Sequence, residues 1–172
     1  SMDDLESVAR SLAVTMNLFS AQMCTSPQNI YVPRGGVAVG GRRVSVDEVC
    51  DALATAFRAV VAEPKRASSI LAAVQSPATL DLLGRLRESG ARRGAILLDS
   101  APYTHPDFPA ARTATPLLLR VAPDARDLYC EERFGPIGFL IEADDAADAL
   151  EAATADVRAA GGITAFVYSQ RD

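Results

Sequence analysis

Short apolar runs alternate along this chain with longer amphipathic stretches that begin on helix-capping residues, and that alternation limits the fold more than any other feature. Residues 95–98, 117–121 and 137–141 are almost wholly apolar, the pattern of strands buried on both faces. Residues 29–33 and 163–168 read as two further strands. Leu5, Val8, Leu12, Met16, Phe19 and Met23 fall at three- and four-residue spacings, so a helix opened by Asp3 or Asp4 is expected to run until just before Cys24. Ser45-Val46-Asp47-Glu48 is a capping box for a helix with Val49, Leu53, Phe57 and Val60 on one face, stopped by Pro64. A short helix is expected over 67–73. Ser76-Pro77 then opens a helix that Gly90 closes, and Asp144 caps an alanine-rich helix that Gly161-Gly162 ends. Glycines 35, 36, 40 and 41 punctuate a turn-rich loop, and 102–116 is a proline-rich connection. Such alternation implies βαβ units, hence an α/β fold with a mainly parallel sheet and flanking helices. A length of 172 residues suits one domain, and no internal repeat breaks it.

Charge and composition exclude several function classes. A formal charge of −5 argues against nucleic acid as a partner, since phosphate binding rests on clustered Lys and Arg. The pairs Arg42-Arg43 and Arg92-Arg93 are too short to reverse that. No apolar run is long enough to span a membrane, and no signal peptide is visible. Three widely spaced cysteines read as reduced thiols of a cytoplasmic protein. They form no metal site, because zinc needs close sets of Cys, His or carboxylate ligands and His105 is the only histidine. A surface-loop role is expected for it. The glycines lack the Lys-Ser or Lys-Thr of a phosphate loop, and no Gly-x-Gly-x-x-Gly is present. Ser1-Met2 reads as a protease-cleavage remnant, which implies a segment of a longer protein.

Two places carry residues suited to chemistry. Cys24 follows Gln22-Met23 and precedes Thr25-Ser26-Pro27, on a polar turn before a strand. A lone cysteine is more often buried structure, and a helix C-terminus nearby would raise a thiol pKa, so any activation must come from other groups. Cys50 shares the apolar stripe of its helix, and nothing gives Cys130 a role. The second place is Glu132-Arg133-Phe134-Gly135-Pro136. Glu-Arg is ordinarily a solvated pair and Phe-Gly-Pro a common approach to a strand. The same residues suit a cofactor: a carboxylate can accept both hydroxyls of a ribose diol, and an aromatic edge can support nicotinamide.

Together, Gln22-Met23-Cys24 and Glu132-Arg133-Phe134-Gly135-Pro136 resemble the two signatures of the aldehyde dehydrogenase superfamily, and the resemblance extends along nearly the whole chain. It implies a catalytic cysteine at Cys24 and a nicotinamide ribose held by Glu132 and Phe134, with NAD or NADP as cofactor and a small aldehyde as substrate. It covers only the family's catalytic domain. The cofactor domain, an oxyanion-donating Asn, a Glu general base and the C-terminal oligomerisation strand are therefore expected outside residues 1–172, in a homo-oligomeric parent, and the fragment alone is expected to be inactive. Ala21 stands where most members have Gly, Ser26 is the small residue two past the cysteine, and Asn29 replaces the usual downstream Arg. The run from Gln22 to Gly36, with His105-Pro106-Asp107-Phe108-Pro109, is most similar to the branch associated with phenylacetic acid degradation, whose dehydrogenase oxidises a CoA-linked semialdehyde after ring opening. A CoA-acylating member, or a non-catalytic binding or assembly domain that kept the fold, remains the alternative.

Overall fold

The computed structural model describes residues 4–169. Helix α1 (Leu5–Asn17) starts on Asp4, whose carboxylate accepts the Glu6 N–H at 3.0 Å. Strand β1 (Asn29–Pro33) follows, then a hairpin of β2 (Val37–Val39) and β3 (Arg42–Val44) turning at Gly40-Gly41. Those two glycines have φ of 54° and 81°, the left-handed pair that a two-residue hairpin demands. Next come α2 (Val46–Val60), α3 (Pro64–Ile70), α4 (Pro77–Arg93) and β4 (Gly94–Leu98). Strand β5 (Leu117–Val121), the single turn α5 (Arg126–Tyr129), β6 (Ile137–Ala143) and α6 (Ala146–Ala160) complete the described elements.

The main sheet runs β1-β6-β5-β4, with β6 parallel to both β1 and β5 and β4 antiparallel to β5. It is the mainly parallel α/β sheet expected from the sequence. Side chains alternate across β5 and β6, so one strand pair feeds two cores. Leu118 and Leu140 pack with Ala13, Met16, Leu53 and Phe57 of α1 and α2. Leu117, Leu119, Ile137 and Phe139 pack with Leu83 and Leu86 of α4 on the other face. Arg120, the charged residue of β5, meets Glu142 and Asp47, each at 2.6 Å, and so ties β6 and α2 to the centre of the sheet.

Several elements differ from expectation. Helix α1 stops at Asn17, because the buried Asn17 amide donates to the Ala13 carbonyl at 2.7 Å and the chain then turns left-handed at Phe19, Ser20 and Ala21. Phe19, which continued the apolar spacing, is exposed. Pro64 opens α3 instead of stopping α2, which ends at Val60. Gly90 does not close α4. A Cβ there would lie 2.7 Å from the Leu119 methyls, so the glycine lets helix and sheet approach. Asp145, not Asp144, caps α6. Strand β4 is an edge strand and only partly buried. Residues 163–168 form no strand, and Ile163, Phe166 and Val167 are exposed; strand propensity is realised only where a sheet edge accepts the pairing. Ser1, Met2 and Asp3 lie outside the described residues.

Candidate active site

Parallel pairing of β1 and β6 decides where the two candidate turns sit. Asn29 is opposite Phe139 and Pro33 opposite Ala143, so both strands start at the same end of the sheet. The turn that precedes β1 carries Cys24, and the turn that precedes β6 carries Glu132 and Phe134. Cys24 and the Glu132-Phe134 pair, more than a hundred positions apart in sequence, line one cleft of about 1200 Å³. Leu5, Val8 and Leu12 of α1 give the cleft an apolar wall.

The cysteine turn is held from behind by Gln22. Its Nε2 donates to the carbonyls of Phe19 and Ala73, each at 3.1 Å, and its Oε1 accepts the Gln75 N–H at 2.9 Å. Ser20 adds two bonds to Ala72, donating from Oγ at 2.8 Å and accepting at 3.1 Å. The left-handed residues between α1 and Cys24 are thereby pinned to the segment that joins α3 to α4. Cys24 itself is exposed. Burial pushes the thiols of Cys50 and Cys130 up, and Asp156 pushes Cys130 further. A short turn past the cysteine, Ser26 N–H to the Met23 carbonyl at 3.1 Å, leads towards β1.

Glu132 is exposed, and its carboxylate makes no hydrogen bond or ion pair among the described residues. Phe134 exposes 46% of its surface, and its carbonyl accepts the Thr79 hydroxyl at 3.3 Å. Arg133 points the other way, to Glu131 at 2.8 Å and to the Asp127 carbonyl. Gly135 is buried against Thr79, where a Cβ would come within 2.7 Å. Glu132 thus offers an acceptor pair without a partner among the described residues, beside the part-exposed ring of Phe134. His105 stays apart on the 102–116 connection, its Nδ1 accepting the Asp107 and Phe108 N–H groups at 3.2 Å. Among the described residues no cluster of His, Cys, Asp or Glu could hold a metal, and no helix is long and apolar enough to cross a membrane.

Residues that sequence reasoning passed over lie between the two turns. Gln28 and Asn29 reach from the start of β1 to the backbone of residues 129–133. The sequence marked Asn29 only as a departure from the family's Arg and Gln28 only as part of the Gln22–Gly36 run, and gave neither of them these contacts. Behind them, Tyr31 donates to Asp156 of α6, which also receives Arg126. Burial first, then the Asp156 hydrogen bond, raises the Tyr31 pKa.

Residues 1–171 match the model of the aldehyde dehydrogenase family. The chain belongs to that family. Among solved structures it is similar to an NAD-dependent aldehyde dehydrogenase from Burkholderia multivorans, at 32% identity and a TM-score of 0.80, covering 96% of this chain and 34% of that one. A gamma-glutamyl-gamma-aminobutyraldehyde dehydrogenase from Burkholderia cenocepacia matches at 25% identity and a TM-score of 0.64, over 87% of this chain and 28% of that one. An NAD-dependent benzaldehyde dehydrogenase from Corynebacterium glutamicum, at 21% identity and a TM-score of 0.71, shares the fold over 99% of this chain and 34% of its own. This chain thus spans about a third of the length of the aldehyde dehydrogenases it matches, at 28% to 34% of each. No curated protein sequence matches it.

Proposed function

We propose that this chain is the catalytic domain of an NAD(P)-dependent aldehyde dehydrogenase, with Cys24 as nucleophile and Glu132 and Phe134 as the nicotinamide-ribose contacts. The observation that carries the reading is the parallel β1–β6 pairing, which opens both turns on one cleft. The Cys24 thiolate attacks the aldehyde carbon: a C–S bond forms, the carbonyl π pair moves to oxygen, and a thiohemiacetal results. A nicotinamide cofactor, when bound, would accept hydride from that carbon; the C–H bond breaks as the oxygen lone pair re-forms the carbonyl, which leaves a thioester on Cys24. Water then cleaves the thioester on Cys24, releasing the acid and restoring the thiol. Glu132 accepts the two ribose hydroxyls, the aromatic edge of Phe134 supports the nicotinamide, and the buried Gly135-Pro136 fixes the turn that aims both.

NAD is the cofactor named for the Burkholderia multivorans relative and is the first choice here, with NADP second. For substrate, the run from Gln22 to Gly36 favours a CoA-linked semialdehyde of phenylacetate catabolism, in a cytoplasmic, homo-oligomeric parent. The test is made on that parent. Cys24→Ala abolishes turnover, whereas Glu132→Gln lowers the hydride-transfer rate or weakens cofactor binding and leaves the thiol reactive. Substantial turnover by the Cys24→Ala enzyme ends the covalent mechanism. Product formed only with added CoA assigns an acylating member instead, and a wild-type parent inert towards aldehydes assigns a non-catalytic domain.

A further inference from the structure

Glu132 sits between two peptide groups, and one side chain from the far turn holds both. The Glu131 carbonyl belongs to the peptide plane before Glu132, and the Arg133 N–H to the plane after it. Gln28 donates from Nε2 to that carbonyl at 3.1 Å and accepts that N–H on Oε1 at 2.8 Å. Nε2 also reaches the Tyr129 carbonyl at 3.0 Å, which Asn29 Nδ2 meets at the same distance. The Gln28 main-chain carbonyl accepts the Phe139 N–H at 2.9 Å, so the residue is registered to β6 as well. Rotating the plane before Glu132 changes its φ, and rotating the plane after it changes its ψ. A single amide therefore fixes both soft angles of Glu132, a residue that lines the cleft.

The requirement is chemically narrow. A primary amide offers donors and an acceptor at one tip, whereas a carboxylate only accepts and a thioether does neither strongly. Gln28 lies four residues after Cys24, on the chain that leaves the nucleophile turn. We infer that Gln28 is a positioning residue that sets the Glu132-Phe134 turn in register with Cys24 by clamping the two peptide groups around Glu132. Its consequence for catalysis rests on the roles proposed above for Cys24 and Glu132, whereas the clamp does not.

Two variants test it, Gln28→Met, which keeps length and loses the amide, and Gln28→Glu, which keeps the acceptor and loses the donors. In the 172-residue chain, amide hydrogen exchange read by NMR should show Arg133 exchanging about tenfold faster in Gln28→Met, the loss of roughly one hydrogen bond. Gln28→Glu should leave Arg133 protected. In the parent enzyme both variants should raise KM for NAD or lower kcat about tenfold or more, while iodoacetamide labels Cys24 at the wild-type rate. Gln28→Glu should recover towards wild type as pH falls and its carboxyl regains a proton to donate. Unchanged Arg133 exchange in Gln28→Met overturns the clamp. Accelerated exchange with unchanged NAD kinetics, or Cys24 labelling that falls in parallel, overturns the positioning role. If Cys24→Ala still turns over, the proposed function fails, and the exchange experiment alone still decides whether Gln28 sets the turn.

Discussion

Ser20 and Ser26 flank the cysteine and have opposite hydrogen-bond fates. Ser20 is fully buried and exchanges two hydrogen bonds with Ala72, while the Ser26 hydroxyl is buried with no partner among the described residues. Removing the first hydroxyl leaves the half-buried Ala72 N–H and C=O without their partner and should destabilise the chain by about 1–3 kcal/mol. Removing the second relieves a desolvated hydroxyl, so Ser26→Ala should be neutral or stabilising by about 1 kcal/mol. Urea midpoints of the two alanine variants at constant m check this pair, and a Ser26→Ala loss as large as that of Ser20→Ala would contradict it. The thiols make a second contrast. Cys24 is exposed, whereas burial raises the thiol pKa of Cys50 and Cys130 and so disfavours their reactive thiolates. Limited iodoacetamide treatment with peptide mapping should label Cys24 first; preferential labelling of Cys50 would reject both the nucleophile assignment and the packing of α2.

Helix α2 shows how much one local motif decides. Ser45 Oγ accepts the Glu48 N–H at 3.2 Å and Glu48 accepts the Ser45 N–H at 2.8 Å, the reciprocal box that was legible in four letters. Ser45→Ala should cost about 1 kcal/mol, read as a shift in thermal midpoint. The Ser45 backbone N–H, then Arg42, lower the Glu48 pKa to about 2. A carboxylate depressed in the folded state adds stability above its unfolded pKa and loses it as pH falls towards the folded value. Wild type should therefore lose stability between roughly pH 5 and 2 more steeply than Glu48→Gln, and parallel acid curves for the two would remove the box from the account. Other elements were misread because a single residue can serve two ends. Gly90 is the residue type of a helix stop, yet it lies inside α4 and lets the helix approach Leu119 of β5. Phe19 keeps the helical spacing but belongs to a left-handed turn set by Asn17 and Ser20.

At the scale of the molecule, the reading proposed for Glu132 and Phe134 accounts for the nicotinamide end of a cofactor and leaves its pyrophosphate end without a site. No Gly-x-Gly-x-x-Gly occurs in these 172 residues, so a glycine turn and helix N-terminus for the diphosphate are not supplied by them. The isolated chain should fold, yet bind NAD and NADP towards millimolar and oxidise no aldehyde, since each missing 1.4 kcal/mol is about tenfold in affinity. Calorimetric titration measures this directly, and a micromolar constant for either nucleotide would overturn it. Sequence alone determined the α/β class, the Ser45 and Ser76 helix caps, the strands β5 and β6 and the family's two signatures, because those rest on periodicity, caps and short motifs. It could not determine that 163–168 stays out of the sheet, that β4 lies at an edge, or that Gln28 spans to Glu131 and Arg133. Those depend on which strands become neighbours, and a neighbour more than a hundred residues away leaves no local pattern in the chain that meets it.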